Sequence, residues 1–221
     1  MFNLFKKSDA KIQEDVMNEL QWDPSVTSAD INVTAKDGII TLRGTVPHFY
    51  EKTTAEDAAQ RVGGVRAVAD EMEVKLINRY QRDDGDIAEA AINALKWNYQ
   101  VPQGIKVTVE KGWLTLKGKA EWDFERQAAK DSVSSLLGVI GVDNEITIKS
   151  KLQPSDVKTR IEAALKRSAE SEGRKIDVAV DGSQVTLTGN VQSYSEIETA
   201  RTAAWSAPGV MSVENELTYA A

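Results

Sequence analysis

DGIITLRG, residues 37–44, is the stretch from which the rest of the chain can be read, because it returns twice. It recurs as KGWLTLKG at 111–118 and as DGSQVTLTG at 181–189. Each copy ends on a glycine: Gly44, Gly118 and Gly189. A second glycine follows 20 residues later each time, at Gly64, Gly138 and Gly209. Beyond it stand Val68, Val142 and Val213, then Asp70-Glu71, Asn144-Glu145 and Asn215-Glu216. Agreement of several anchors at fixed offsets is an internal repeat, and a repeat fixes the architecture before any single element is assigned.

The motif alternates apolar and polar residues around a glycine turn. Ile40 and Leu42, Leu114 and Leu116, and Val185 and Leu187 face one way, and Thr41, Thr115 and Thr186 face the other. Period two marks a half-buried strand. Asp37-Gly38, Lys111-Gly112 and Asp181-Gly182 supply the tight turn, and a preceding alternating run makes the other arm of a hairpin. That run is Ile31, Val33 and Ala35, then Ile105, Val107 and Val109, then Ile176, Val178 and Val180.

Upstream of each hairpin the period changes to that of a helix. Ile12, Val16 and Leu20, Ile87, Ala91 and Leu95, and Val157, Ile161 and Leu165 all follow i, i+4, i+8, which aligns them on one stripe. Ser8-Asp9, the acids Asp84 and Asp86, and Pro154-Ser155-Asp156 offer capping oxygens and first-turn carboxylates. Downstream lies an Ala-rich helix around 50–62, 124–137 and 194–206, for which Gly64, Gly138 and Gly209 read as C-terminal caps. A last strand closes each repeat, at 68–74, 142–148 and 213–219. The crossover of about 20 residues is long enough to make that strand parallel to the second. Its neighbour in the sheet is left open.

Each repeat is therefore α-β-β-α-β, an α+β unit with a small mixed three-stranded sheet and both helices on one face. The expected units are 5–78, 79–150 and 151–221, joined by short charged linkers.

Composition narrows the chemistry. The 221 residues carry 27 Lys+Arg, 34 Asp+Glu, one His and no Cys, for a net charge of −7. Without Cys there is no disulfide, thiolate nucleophile or Cys-ligated zinc. His48 alone cannot build a multi-His metal site, and no nucleophile motif accompanies it. No P-loop or dinucleotide fingerprint occurs. The acidic balance speaks against nucleic acid, which requires clustered cations. No apolar run reaches the ~18 residues of a membrane span, and the opening MFNLFKKS lacks the order of an export signal. The expectation is a non-enzyme with no cofactor and no metal, cytoplasmic as written and periplasmic if a leader has been removed.

The strand glycines and G-V-x-x-V-x-[DN]-E, beginning at Gly64 and Gly138 and repeated at Gly209, resemble the BON family, named for bacterial OsmY and nodulation proteins. The resemblance covers nearly the whole chain. It implies an α/β module without catalytic machinery, associated with osmotic and envelope stress and thought to contact phospholipid surfaces or partner proteins. It also implies the three-BON subgroup labelled hyperosmotically inducible or transport-associated.

Single residues carry further expectations. Gly44, Gly118 and Gly189 mark a bulge or a close backbone approach. Asp70, Asn144 and Asn215 fall on the inward parity of the last strand and need backbone partners, such as a helix end. The tryptophans do not recur uniformly. Trp22 and Trp97 end the first helix in two repeats only, whereas Trp113, Trp122 and Trp205 occur once each. Singular tryptophans suit contacts between units or with a ligand. The cluster Lys96, Trp97, Asn98, Tyr99 is the best membrane or partner contact, and Trp22 is a further candidate. The middle repeat, with 10 basic against 11 acidic residues, is least repelled by an anionic surface. Phe2, Leu4, Phe5, Lys6 and Lys7 could dip into a bilayer, although a frayed end accounts for them more simply. The leading function is binding of anionic phospholipid or client proteins. The alternative is a cytoplasmic scaffold or small-ligand-binding protein with no lipid role.

Overall fold

The first helix lies close on the first hairpin strand in every repeat, and the crossover helix lies close on the last strand in the first two. The computed structural model describes residues 7–149, 157–167 and 176–219. Phe2, Leu4, Phe5 and Lys6, and Pro154-Ser155-Asp156, lie outside them. Repeat one holds α1 (Asp9–Trp22), β1 (Ile31–Lys36), β2 (Ile39–Val46), α2 (Phe49–Arg61) and β3 (Ala67–Val74). Repeat two holds α3 (Asp84–Trp97), β4 (Lys106–Glu110), β5 (Trp113–Ala120), α4 (Asp123–Ser134) and β6 (Gly141–Ile148). Repeat three holds α5 (Val157–Arg167), β7 (Ile176–Asp181), β8 (Gln184–Val191), α6 (Tyr194–Trp205) and β9 (Ser212–Tyr219).

Each sheet is three-stranded with the second strand in the middle, in the orders β1-β2-β3, β4-β5-β6 and β7-β8-β9. The hairpin arms are antiparallel, and the last strand is parallel to the central one. The central strand contributes the largest wholly buried side chains. Ile40, Leu42, Leu114, Leu116, Val185 and Leu187 are wholly buried. In repeat one they meet Ile12, Val16 and Leu20 from α1 and Ala55, Ala58 and Ala59 from α2. Burying each large aliphatic side chain contributes about 1.5–3 kcal/mol. The alanines stabilise less by area, but they let α2 lie close on the sheet. By proximity the chain forms two compact units, one mainly repeat one and the other mainly repeats two and three.

The first helix is also tied to the hairpin by its own first turn. Ser8 caps α1 by accepting the Lys11 N–H. Asp9 then accepts the backbone N–H groups of Asp37 at 2.8 Å and Gly38 at 2.9 Å. In repeat two Asp83 takes the cap, which frees Asp84 to accept from Lys111 at 2.7 Å and Gly112 at 2.9 Å. These turns hold both central residues at positive φ, including the non-glycine Asp37 and Lys111. Such turns splay no strands, because their twist matches the sheet. The carboxylate stabilises the conformation that Asp37 and Lys111 would otherwise avoid.

Four details depart from the sequence reading. The third turn is Gly182-Ser183 rather than Asp181-Gly182, because Asp181 pairs with Gln184 as the last strand residue. Both arms keep the lengths and register of the first hairpin, so the Asp-Gly pair of DGSQVTLTG falls one position earlier and Asp181 takes the place of Lys36. Gly64, Gly138 and Gly209 do have positive φ, but they stand three or four residues beyond α2, α4 and α6 instead of capping them. At Gly64 and Gly138 the reason is close packing: a Cβ on Gly64 would lie 3.0 Å from Ile12 Cδ1, and one on Gly138 would lie 2.9 Å from Ile87 Cδ1. No bulge occurs at Gly44, Gly118 or Gly189, since the ladders run through them unbroken. Gly44 is a close approach, where a Cβ would lie 1.9 Å from the Asp30 carbonyl oxygen.

The fourth departure is Asn215, which is exposed rather than inward. Asp70 and Asn144 are half-buried and partnered by the crossover helix. Lys52 pairs with Asp70 at 3.1 Å and donates to the Met72 carbonyl at 2.6 Å. Asn144 donates to the Arg126 carbonyl at 2.8 Å. At the matching place on α6 stands the apolar Ile197. Asn215 accepts the Leu217 N–H of its own strand, as Asp70 does from Met72 and Asn144 from Ile146.

Candidate functional site

Helix α3 carries its apolar stripe inward through Ile87, Ala91 and Leu95. The residues after Leu95 must then leave the core, and three of them end in solvent. Lys96 is exposed, Trp97 is 86% exposed and Tyr99 is 93% exposed. Between them Asn98 closes the helix. Its backbone N–H donates to the Ala94 carbonyl, its side-chain Nδ2 donates to Ser132 Oγ at 2.9 Å, and its Oδ1 accepts the Gln100 N–H. Asn98 thus anchors a short turn on α4 and leaves both flanking aromatic rings outside. Ile92 on the same helix is also exposed.

Trp22 occupies the same place on α1 and is 85% exposed. Its surroundings are more acidic. Asp23, at the position of Asn98, accepts both the hydroxyl and the N–H of Ser25, and the Ser25 hydroxyl holds its carboxyl below the usual range. Arg61 lies near Glu19 and Asp23. The end of α1 therefore presents an aromatic ring beside anions, and the end of α3 presents two rings beside a lysine.

The singular tryptophans are placed differently. Trp113 lies on the helix-free face of its sheet, with its indole N–H donating to Asp143 at 3.0 Å and its ring over Gly141. Trp122 and Trp205, 83 residues apart, line one open cavity of about 700 Å³. Arg126 pairs with Asp123 and sits 4.8 Å from the centre of the Trp205 ring. Phe124, Gln127, Ala128 and Asp131 form the wall from α4. The sequence reading missed these residues. Their i, i+3, i+4, i+7 spacing was the available signal, but only Phe124 and Ala128 on it are apolar. Asp131 reaches solvent, yet burial against the wall pushes its carboxyl pKa up despite the opposing charge of Lys130.

His48 precedes α2 and stacks on Tyr50, with ring centres 5.5 Å apart. Among the described residues no group of three or more His, Asp or Glu could hold a metal ion. No described helix is long and apolar enough to cross a membrane.

The BON domain family model matches three times, at residues 8–75, 83–150 and 154–221. The chain belongs to the BON domain family. As a BON protein it is similar to the osmotically-inducible protein Y of Escherichia coli (strain K12). The two are 24% identical over 146 residues, covering 64% of this chain and 73% of that protein. Among solved structures, CdsD, a structural protein of the type III secretion system of Chlamydia trachomatis, is 17% identical. It covers 95% of this chain and 92% of its own, with a TM-score of 0.26.

Proposed function

We propose that this BON protein is a non-enzymatic, osmotic-stress-associated protein that docks on phospholipid surfaces through the ends of its first helices, above all that of α3. The carrying observation is the exposure of Trp97 and Tyr99 on either side of an anchored Asn98. Large aromatic side chains are highly buried on average. Two rings held outside by a capped turn suit the headgroup region, where an apolar body and one polar atom are both satisfied. Lys96 adds attraction to anionic lipid, worth about 1 kcal/mol near such a surface. The stress association is supported by the similarity to the osmotically-inducible protein Y of Escherichia coli.

Co-sedimentation of the full chain with vesicles of phosphatidylcholine, with and without phosphatidylglycerol, tests this. Binding should be stronger to the anionic vesicles and should weaken with salt. Trp97→Ala should reduce it more than Trp205→Ala while leaving circular dichroism unchanged. Equal effects of the two substitutions, or no salt-sensitive binding, would sink the reading.

A further inference from the structure

The cavity lined by Trp122, Phe124 and Trp205 has a chemistry of its own. Its volume of about 700 Å³ falls within the ~300–1,000 Å³ of small-ligand sites. Three aromatic rings converge on it from α4 and α6, and Gln127 and Asp131 add polar groups to its wall. Among the described residues the Asp131 carboxylate and the Trp122 indole N–H have no hydrogen-bond partner. Arg126 shows that this surface already accepts a cation over a ring, 4.8 Å from the centre of Trp205. The Trp122 and Phe124 rings carry no such partner among the described residues.

We propose that this cavity binds a small organic cation, a quaternary or primary ammonium group, between the aromatic rings and the Asp131 carboxylate. Aromatic faces attract such cations through their quadrupole, most strongly for tryptophan, and the attraction grows when water is excluded. A carboxylate with no partner of its own supplies the counter-charge. Burial disfavours the Asp131 anion, and an ammonium ion seated beside it would relieve that cost. Arg201 also lines the cavity, but its guanidinium is engaged with Glu198 at 3.0 Å. A simple anion site is therefore the poorer fit. The ammonium could belong to a free solute or to a choline or ethanolamine headgroup, because both present the same group. The inference stands apart from the vesicle-docking reading, since it concerns the cavity and not the exposed rings.

The test is titration of the full chain with tetramethylammonium chloride at constant ionic strength, read by tryptophan fluorescence and calorimetry. Saturable binding is expected. Trp122→Leu should weaken it several-fold, as loss of one cation–π contact at an open site. Asp131→Asn, a change on a solvent-reaching side chain, should weaken it several-fold without altering the fold. Sodium acetate should give no response. Competition by phosphatidylcholine vesicles supports a headgroup as the source, and binding untouched by vesicles supports a free solute. The proposal is overturned by absence of saturation, by binding that neither variant weakens, or by a response to acetate in place of tetramethylammonium.

Discussion

The carboxylate of Asp9 accepts the N–H of Gly38 at 2.9 Å, joining the first turn of α1 to a hairpin turn 29 residues away. The same oxygen pair reaches Asp37, and Asp84 repeats the clasp on Lys111 and Gly112. Asp9 and Asp84 stand three residues before Ile12 and Ile87, whereas Pro154 stands three before Val157. Two repeats thus carry an acid that the third lacks in sequence.

Asp9→Ala should expose the Gly38 and Asp37 amides and loosen the turn. Two charge-assisted hydrogen bonds at a partly exposed site contribute about 1–3 kcal/mol together. Hydrogen exchange at Gly38 should accelerate, with exchange at Gly112 unchanged. Unaltered protection at Gly38 would show that the turn holds its shape without the carboxylate.

Gly44→Ala should be severe, because its Cβ would lie 1.9 Å from the Asp30 carbonyl oxygen at a φ of +132°. Neither backbone can retreat without breaking the ladder, so a loss above about 3 kcal/mol is expected. Gly182→Ala meets nothing within 4 Å. It should cost only the left-handed backbone preference, about 1–2 kcal/mol. Urea unfolding of both variants checks the contrast, and equal losses would refute the close-approach account.

Asp131 should titrate above an ordinary aspartate, since burial raises its pKa. The folded state then holds the proton more tightly than the unfolded chain. This group's penalty is therefore present above the folded midpoint and disappears as pH falls through it. Asp131→Asn should leave stability at neutral pH equal or higher and give no gain in acid. Carboxyl-carbon NMR reads the midpoint directly, and a value at or below the usual range would contradict the burial.

The helix stripes and hairpin arms were legible because period 3.6 and period 2 report which side of an element is apolar. The i, i+4, i+8 spacing of Ile12, Val16 and Leu20 was enough to place them inward. The glycines were legible as special but not in role. Gly64 looks like a helix cap in sequence, and only the Ile12 side chain lying against it explains its absence of a Cβ. Asn215 shares the parity of Asp70 and Asn144 yet is exposed, because α6 does not lie close on β9 as α2 and α4 do on β3 and β6.

The candidate contacts divide along the same line. That Trp22 and Trp97 end a helix was visible from their spacing after Leu20 and Leu95. That both rings stand in solvent depends on Asp23 and Asn98 turning the chain just beyond them. Trp122 and Trp205 could be marked as singular, but nothing local pairs residues 83 apart. Periodicity records what each element turns inward, whereas packing between elements sets what that surface meets. The three α-β-β-α-β repeats and their cores were therefore written in DGIITLRG and its two echoes. The central position of the second strand, the anchored turn beside Trp97 and the aromatic cavity came from long-range contacts that no short stretch encodes.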